Sequence, residues 1–188
     1  MKRPFVAAFW KTDMETCIVY SSRTGNTRAV ALHLAETFSL PVFSVESAPL
    51  SCERCILGFW TWRGGPDEAM RAFMEKLHGR SVFFFATMAA FPDSPHAARC
   101  ALRTQALLES RECRVLGHFF CQGRLDPAVL ARSTHPRTPE RMARLAEAAF
   151  HPDARDFSAA ARAVERALFS SSPSRLERAD AAALKRSA

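Results

Sequence analysis

The stretch IVYSSRTGNTRAVALHLAE, residues 18–36, decides the fold. It begins with an apolar, β-branched run that is typical of a buried strand. It ends in a pattern that places Val30 and Leu34, followed by Phe38, on one stripe of a helix. Between strand and helix lies a turn of hydroxyl and amide residues around Gly25. A strand that passes through a short polar turn into an amphipathic helix predicts the first unit of an α/β protein.

The rest of the chain repeats this alternation. Four more short apolar segments predict strands: LPVFSVES, RCILGFWTW, SVFFFATMAA and CRVLGHFFCQG, at residues 40–47, 54–62, 81–90 and 113–123. Amphipathic patterns predict helices over residues 67–77, 96–110, 138–150 and 156–169. Strands that alternate with helices imply parallel pairing through right-handed crossovers. We therefore expect a doubly wound sheet between two helical layers, an α/β/α architecture.

Length and composition predict one domain. The chain has 188 residues, of which 48% are hydrophobic, enough for one substantial core. We expect a single domain over residues 1–170. Residues 171–188 lack the apolar surface for firm packing, so we expect a frayed or partly helical tail there.

Charge and cysteine content narrow the partners and the compartment. The net charge of +7 is spread along the chain, and no basic stripe is interleaved with aromatic residues, so we expect no nucleic-acid partner. No apolar segment has the length of a membrane span, so no membrane partner is expected either. Most of the six cysteines lie beside or inside apolar runs, where free thiols behave as small hydrophobic groups. These features favour a cytoplasmic protein with reduced cysteines.

The polar turn has the chemistry of a phosphate site. It stands at the carboxyl end of a strand, where open α/β sheets bind ligands, and at a helix N-terminus, which favours anions. Ser22, Thr24, Asn26 and Thr27 offer short donors, and Gly25 tolerates unusual backbone angles. The turn has neither the lysine of a Walker sequence nor the repeated glycines of a dinucleotide turn. It therefore predicts a phosphate monoester held without a metal.

Three segments, in order, resemble the ligand loops of flavodoxins. SRTGNT (22–27) is similar to the flavodoxin phosphate loop, GFWTW (58–62) to the first flavin-flanking loop, and ATMAAFPDS (86–94) stands where the second would follow. The resemblance covers about residues 17–123. It implies a flavodoxin-like fold with a five-stranded parallel sheet of order 2-1-3-4-5, and FMN as the cofactor.

The resemblance also assigns roles to individual residues. The phosphate would be surrounded by Ser22, Arg23, Thr24, Gly25, Asn26 and Thr27. The flavin ring would lie against Thr61 and Trp62, with Trp62 rather than Trp60 as the stacking wall, and Phe91 would cover the opposite face. Backbone contacts would come from Thr87, Met88, Ala89 and Ala90, and Gly64 or Gly65 would let a peptide group approach the ring. No residue is expected to be catalytic.

The chain also departs from the flavodoxin pattern. Many flavodoxins are acidic around the flavin edge, whereas Arg63 lies in the first flanking loop of this basic chain. A cation there favours the negatively charged reduced flavin, so we expect a higher reduction potential than that of a typical flavodoxin.

The implied function is electron transfer from a reductase to a partner redox enzyme. Residues 91–100 and 121–127 and the helical region after Thr138 resemble a bacterial flavodoxin-like subfamily that includes a flavodoxin associated with bilirubin reduction. This resemblance implies a tetrapyrrole reductase as one acceptor. One alternative is an NAD(P)H-dependent FMN or quinone reductase, although aromatic residues on both ring faces would leave little room for a second substrate. Another is an accessory module that binds no flavin.

Two further features have structural and functional interpretations. Cys52 and Cys55 form a C-x-x-C pair, but it precedes a strand instead of opening a helix and has no second pair for a zinc site. His96 lies near the expected flavin edge, where it either begins a helix or delivers protons.

Overall fold

A computed structural model describes residues 15–169 and contains a six-stranded sheet. The strands are β1 Thr16–Tyr20, β2 Val42–Ser44, β3 Arg54–Trp62, β4 Gly65–Pro66, β5 Ser81–Met88 and β6 Arg114–Gln122. The tail expected over residues 171–188 lies outside the described residues. Within 15–169, no helix has the length and apolar character needed to cross a lipid bilayer.

The parallel strands have the order β2-β1-β3-β5-β6, so the expected order of five parallel strands is confirmed. The expected number of strands is wrong by one, because two-residue β4 pairs antiparallel with the end of β3. Arg63 and Gly64 form the turn between them with φ of 50° and 78°, and left-handed angles at both positions suit a tight two-residue hairpin. Such a short hairpin has no hydrophobic periodicity of its own.

Six helices connect or follow the strands. They are α1 Asn26–Phe38, α2 Glu68–Met74, α3 Pro95–Glu109, α4 Pro127–Ala131, α5 Pro139–Ala148 and α6 Ala154–Phe169. Side chains cap several of them: Asp67 accepts from two backbone N–H groups of α2, and Ser94 and Thr138 cap α3 and α5. Helix α1 contains the predicted stripe of Val30, Leu34 and Phe38, whereas α2 ends three residues before the end of its predicted range, 67–77.

The core has two halves, one on each face of the sheet. On one face, Leu57, Phe59 and Phe84 pack with Met70 of α2 and Leu108 of α3. On the other face, residues of the strands pack with residues of α1 and α6. The strand residues include Ile18, Ile56, Phe83 and Phe85, and the helix residues include Val30, Leu34 and Val164. The expected α/β/α architecture is confirmed.

The expectation of reduced cysteines is wrong for one pair. Cys17 in β1 and Cys52 before β3 form a disulfide, and both are fully buried. Cys55, the second member of the C-x-x-C pair, is a free buried thiol whose pKa burial raises to about 11. Cys52 therefore pairs with Cys17 of the neighbouring strand and not with Cys55, although Cys55 is the direct register partner of Cys17.

Candidate functional site

A cleft of about 550 Å³ opens at the carboxyl ends of the parallel strands. It lies between β1 and β3, where the strand order reverses. The chain after β1 continues to β2 on one side of this pair, and the chain after β3 continues to β5 on the other side. Its walls come from the turn after β1, the ends of β3 and β5, and residues 123–145. The volume is that of a typical small-molecule site.

Nine of the residues predicted for the FMN site line this cleft: Arg23, Thr24, Asn26, Thr61, Trp62, Thr87, Met88, Ala89 and Ala90. Ser22 lines an adjoining hollow together with Arg23. Arg63 and Gly64 line a second cavity on the other side of Trp62. Gly25, Thr27 and Phe91 are not among the residues that line the cleft.

The turn between β1 and α1 presents unpaired backbone donors. Gly25 stands at the N-cap of α1 with φ of 91° and provides no capping side chain. The first turn of α1 contains no acidic residue. The backbone N–H groups of residues 23–27 donate to no acceptor within the described chain. Because a helix N-terminus without a cap favours an anion, this turn is suited to a phosphate group.

Two hydroxyl groups hold the turn in place. The Ser22 hydroxyl accepts from the Arg28 N–H at 3.2 Å. Thr27 is buried beneath the turn, and its Oγ1 is 2.9 Å from Oγ1 of Thr87 at the end of β5. Thr27 thus connects the first predicted loop to the second and supports the site from below instead of lining it.

A buried pair fixes the start of the turn. The Ser21 hydroxyl donates to the Asp67 carboxylate, and both residues are at least 95% buried. Burial raises the pKa of Asp67, opposed by the donors Ser21, Met70 and Ala69. Asp67 therefore ties the phosphate turn to α2 while capping that helix.

Trp60 and Trp62 together form one wall of the cleft. Both are half-buried, and their ring centroids are 5.5 Å apart. Neither indole is buried in the core, and the two share one face of β3 because residues two apart in a strand lie on the same face. The Arg23 guanidinium lies 5.9 Å from the Trp60 ring centroid, and that of Arg63 lies 5.6 Å from the Trp62 ring centroid. Each indole therefore has a guanidinium group over its ring.

Phe91 does not form the opposite wall. It is 39% exposed, and its carbonyl accepts from the hydroxyl of Ser94, which caps α3. The cleft is instead closed by residues 123–145, which include α4 and the start of α5. Their proline-rich sequence gives no sign of this role.

The turn between β1 and α1, called the phosphate turn below, is bonded to residues 123–145, which form the second wall of the cleft. Arg23 Nε is 2.8 Å from an Asp126 carboxylate oxygen, and Asn26 Nδ2 donates to the Arg124 carbonyl at 2.9 Å. The Ala128 N–H and the Arg23 guanidinium hold the pKa of Asp126 below its usual value. Gly123 permits this close approach, since a Cβ there would lie 2.8 Å from Asn26 Nδ2.

Arg144 gives the second wall an unpaired donor. Its Nε is buried and has no hydrogen-bond partner among residues 15–169, and the side chain lines the cleft. By contrast, Arg141 donates to the carbonyls of His135 and Pro136, and Arg124 donates to that of Ala149. Arg124 and Arg141 thus hold the wall together, whereas Arg144 is available for a ligand.

The fold and the cleft define an open α/β protein with an uncapped helix N-terminus at the switch point of its sheet. A sequence profile described as "Flavodoxin domain" matches residues 17–165. The chain therefore belongs to the flavodoxin family, as its three loop segments predict.

Individual relatives are distant. The flavodoxin-like domain-containing protein BilS of Clostridioides difficile is 24% identical over 127 residues, covering 63% of this chain and 72% of the relative. A protein of the same description from Clostridium symbiosum is 27% identical over 141 residues, covering 63% and 73%. Among solved structures, the Trp repressor binding protein from Bacillus subtilis superposes with a TM-score of 0.55 at 13% identity, covering 81% of this chain and 99% of that one. The last similarity concerns the fold alone.

The residues present fit FMN, the cofactor implied by the flavodoxin resemblance. The uncapped turn 23–27 offers its backbone N–H groups for a phosphate monoester. The two indoles offer an aromatic surface at the other end of the same cleft. The family and the site together suggest a flavin-binding redox protein.

Proposed function

We propose that this protein binds FMN and transfers electrons between a reductase and a partner redox enzyme. The observation that carries the proposal is one cleft that joins an uncapped, acid-free helix N-terminus to a pair of tryptophans. When bound, FMN supplies one-electron and two-electron redox chemistry, so the protein contributes binding, orientation and electrostatics.

The turn after β1 binds the phosphate through the N–H groups of residues 23–27 and the hydroxyl of Thr24. Arg23 adds positive charge beside it, although its pairing with Asp126 reduces that charge. Trp62 and Trp60 exclude water from one side of the ring, and Arg144 donates from the facing wall. These residues hold the cofactor without a metal.

A second candidate function, an NAD(P)H-dependent flavin or quinone reductase, keeps support from one observation. Phe91 does not line the cleft, so it does not cover the second face of the flavin ring as the sequence predicts. The residue expected to exclude a second substrate is therefore not in that position. Anaerobic mixing of the FMN-loaded protein with NADPH separates the two. Flavin absorbance that persists favours the carrier, and rapid bleaching favours the reductase. A tetrapyrrole reductase as electron acceptor stays a prediction from the sequence resemblance.

The binding proposal is tested by titrating FMN with the protein and following the quenching of flavin fluorescence. We expect saturable quenching, with affinity weakened about tenfold in Thr24→Val, because a hydrogen bond to a charged phosphate is lost. Thr37→Val is the matched control, since Thr37 is an exposed threonine near the far end of α1. Its affinity should equal that of the wild type.

Absence of quenching at any protein concentration would refute FMN binding and favour an accessory module. Equal weakening by Thr24→Val and Thr37→Val would refute the assignment of the phosphate to this turn while leaving binding intact. Circular dichroism on each variant establishes that both remain folded.

A further inference from the structure

A second cavity opens beside the cleft, next to the turn between β3 and β4. It measures about 530 Å³ and is lined by Trp62, Arg63, Gly64, His96, Arg99, Arg103 and His135. It shares three of these residues, Trp62, His96 and His135, with the first cleft. A molecule bound in the second cavity would therefore lie at the mouth of the first.

The lining of this cavity is strongly one-sided in charge. Arg63, Arg99 and Arg103 are accompanied by two histidines, and no carboxylate lines the cavity. None of these arginines forms an ion pair with an acidic residue within the described part of the chain. Arg23 and Arg71, by contrast, each pair with a carboxylate at about 3 Å. The positive charge of the cavity is therefore left for a ligand or for solvent ions.

Two of the three arginines of the cavity, Arg99 and Arg103, lie on helix α3. His96, Arg99 and Arg103 are separated by three and four residues, so they lie on the same side of the helix. Like charges four residues apart destabilise a helix slightly. Their juxtaposition beside a cavity thus has a small cost to folding, which an anionic ligand would offset.

Two of the arginines are oriented by the protein itself. Arg103 donates to the Arg63 carbonyl at 3.4 Å, and the Arg63 guanidinium lies beside the Trp62 ring. Glycine suits position 64 in this arrangement, because its φ of 78° favours glycine and a Cβ there would lie 2.8 Å from Arg103 Nη1. Arg99 makes no such contact and is exposed at the cavity. The site therefore combines a fixed pair of cations with one free cation.

We propose that this cavity binds a small molecule that carries at least two anionic groups, either phosphates or carboxylates. Guanidinium groups are matched to both through paired N–H donors. A cavity of this volume suits a small molecule, whereas a protein partner needs a surface of about 800 Å² on each side. The location of this ligand beside bound flavin rests on the proposed function, but the anion binding does not.

The test is isothermal titration of the full chain at low ionic strength with two probes, inorganic pyrophosphate and citrate. We expect at least one probe to bind, with its dissociation constant raised about fivefold in Arg99→Gln, as for an exposed charge pair. Arg162→Gln is the control, since Arg162 is an exposed arginine of α6 on the opposite face of the sheet. Thr24→Val tests competition from the phosphate turn of the first cleft.

The probes distinguish the two sources of negative charge. Binding of pyrophosphate alone indicates a phosphorylated ligand, and binding of citrate alone indicates a polycarboxylate; either result supports the site if Arg99→Gln weakens it selectively. The proposal is overturned if neither probe binds, if Arg162→Gln weakens binding as much as Arg99→Gln, or if only Thr24→Val has an effect. Anion binding that depends on Arg99 in a protein that fails to bind FMN would refute the proposed function alone.

Discussion

Replacing Gly58 with alanine tests how β3 is held against β5, and hence how the tryptophan wall is positioned. Gly58 is the register partner of Phe85 in the adjacent strand. A Cβ at position 58 would lie 2.2 Å from Phe85 Cζ and 2.7 Å from both Cε atoms. Ordinary contact needs about 3.4 Å or more, so the ring would have to move by about 1 Å or the strands would have to separate.

The ring has little freedom to move. Phe85 is fully buried in the half of the core that includes Ile18, Ile56 and Leu34. Overpacking of a tight core costs about 1–3 kcal/mol, and the depth of this overlap places Gly58→Ala near the upper limit. For a domain of this size, 3 kcal/mol corresponds to a fall in Tm of about 6–12 °C. Thermal unfolding followed by circular dichroism measures it.

Two further variants make the prediction specific. Gly65→Ala adds a Cβ with no atom within 4 Å at a glycine whose φ is not positive, so its Tm should stay within about 1 °C of the wild type. Phe85→Leu removes the Cε and Cζ atoms that the new methyl group meets. The double variant Gly58→Ala, Phe85→Leu should be more stable than the sum of the single effects by about 1 kcal/mol or more. A Gly58→Ala variant within about 0.5 kcal/mol of the wild type, or strictly additive effects, would refute the steric argument.

Two other predictions concern the phosphate turn. Gly123→Ala should displace Asn26 and break its hydrogen bond to the Arg124 carbonyl. We expect the free energy of unfolding, measured with urea, to fall by about 1 kcal/mol. In an Asn26→Ala background most of this loss should disappear, and a loss that persists in full would contradict this reasoning. Because the pKa of Asp67 is raised by burial, the native state keeps this proton to a higher pH than the unfolded chain does. The free energy of unfolding therefore falls as the pH rises from 3.8, the ordinary value, through the native pKa of Asp67, and this contribution is constant at higher pH. The stability of Asp67→Asn relative to the wild type should therefore increase across that window and then level off, and a difference that is flat or falls with pH would show that the carboxyl is not shifted upward.

Strand and helix periodicities were sufficient to predict the parallel sheet because each element has one or two buried faces. The turn before α1 was predictable for a similar reason, since Gly25 and its polar neighbours have a local conformational meaning. The hairpin to β4 was not predictable, because two residues carry no periodicity. The position of Trp60 could have been derived from the sequence, since it is two residues from Trp62 and must share its face.

The second wall is a different case, because it depends on contacts between distant segments. Arg23 and Asp126 are separated by 103 residues, and residues 124–140 include three prolines and no regular pattern. The same holds for the disulfide between Cys17 and Cys52, which follows from the pairing of β1 with β3. Burial alone could not separate a bonded cysteine from a free one.

The arginine content of the two cavities does not by itself measure their affinity for anions. Seven arginines and one carboxylate, that of Asp126, line them together. Arg23 is neutralised by Asp126, and Arg124 and Arg141 donate to backbone carbonyls that shape the second wall. Arg103 donates to the Arg63 carbonyl and so holds the β3–β4 turn. The arginine side chains without a hydrogen-bond or ion-pair partner among the described residues are Arg144 in the cleft and Arg63 and Arg99 in the second cavity. Because several of the cations build the walls while these three stay unpaired, each cavity keeps guanidinium groups for its own ligand, and the positive field of the others favours negative charge in both.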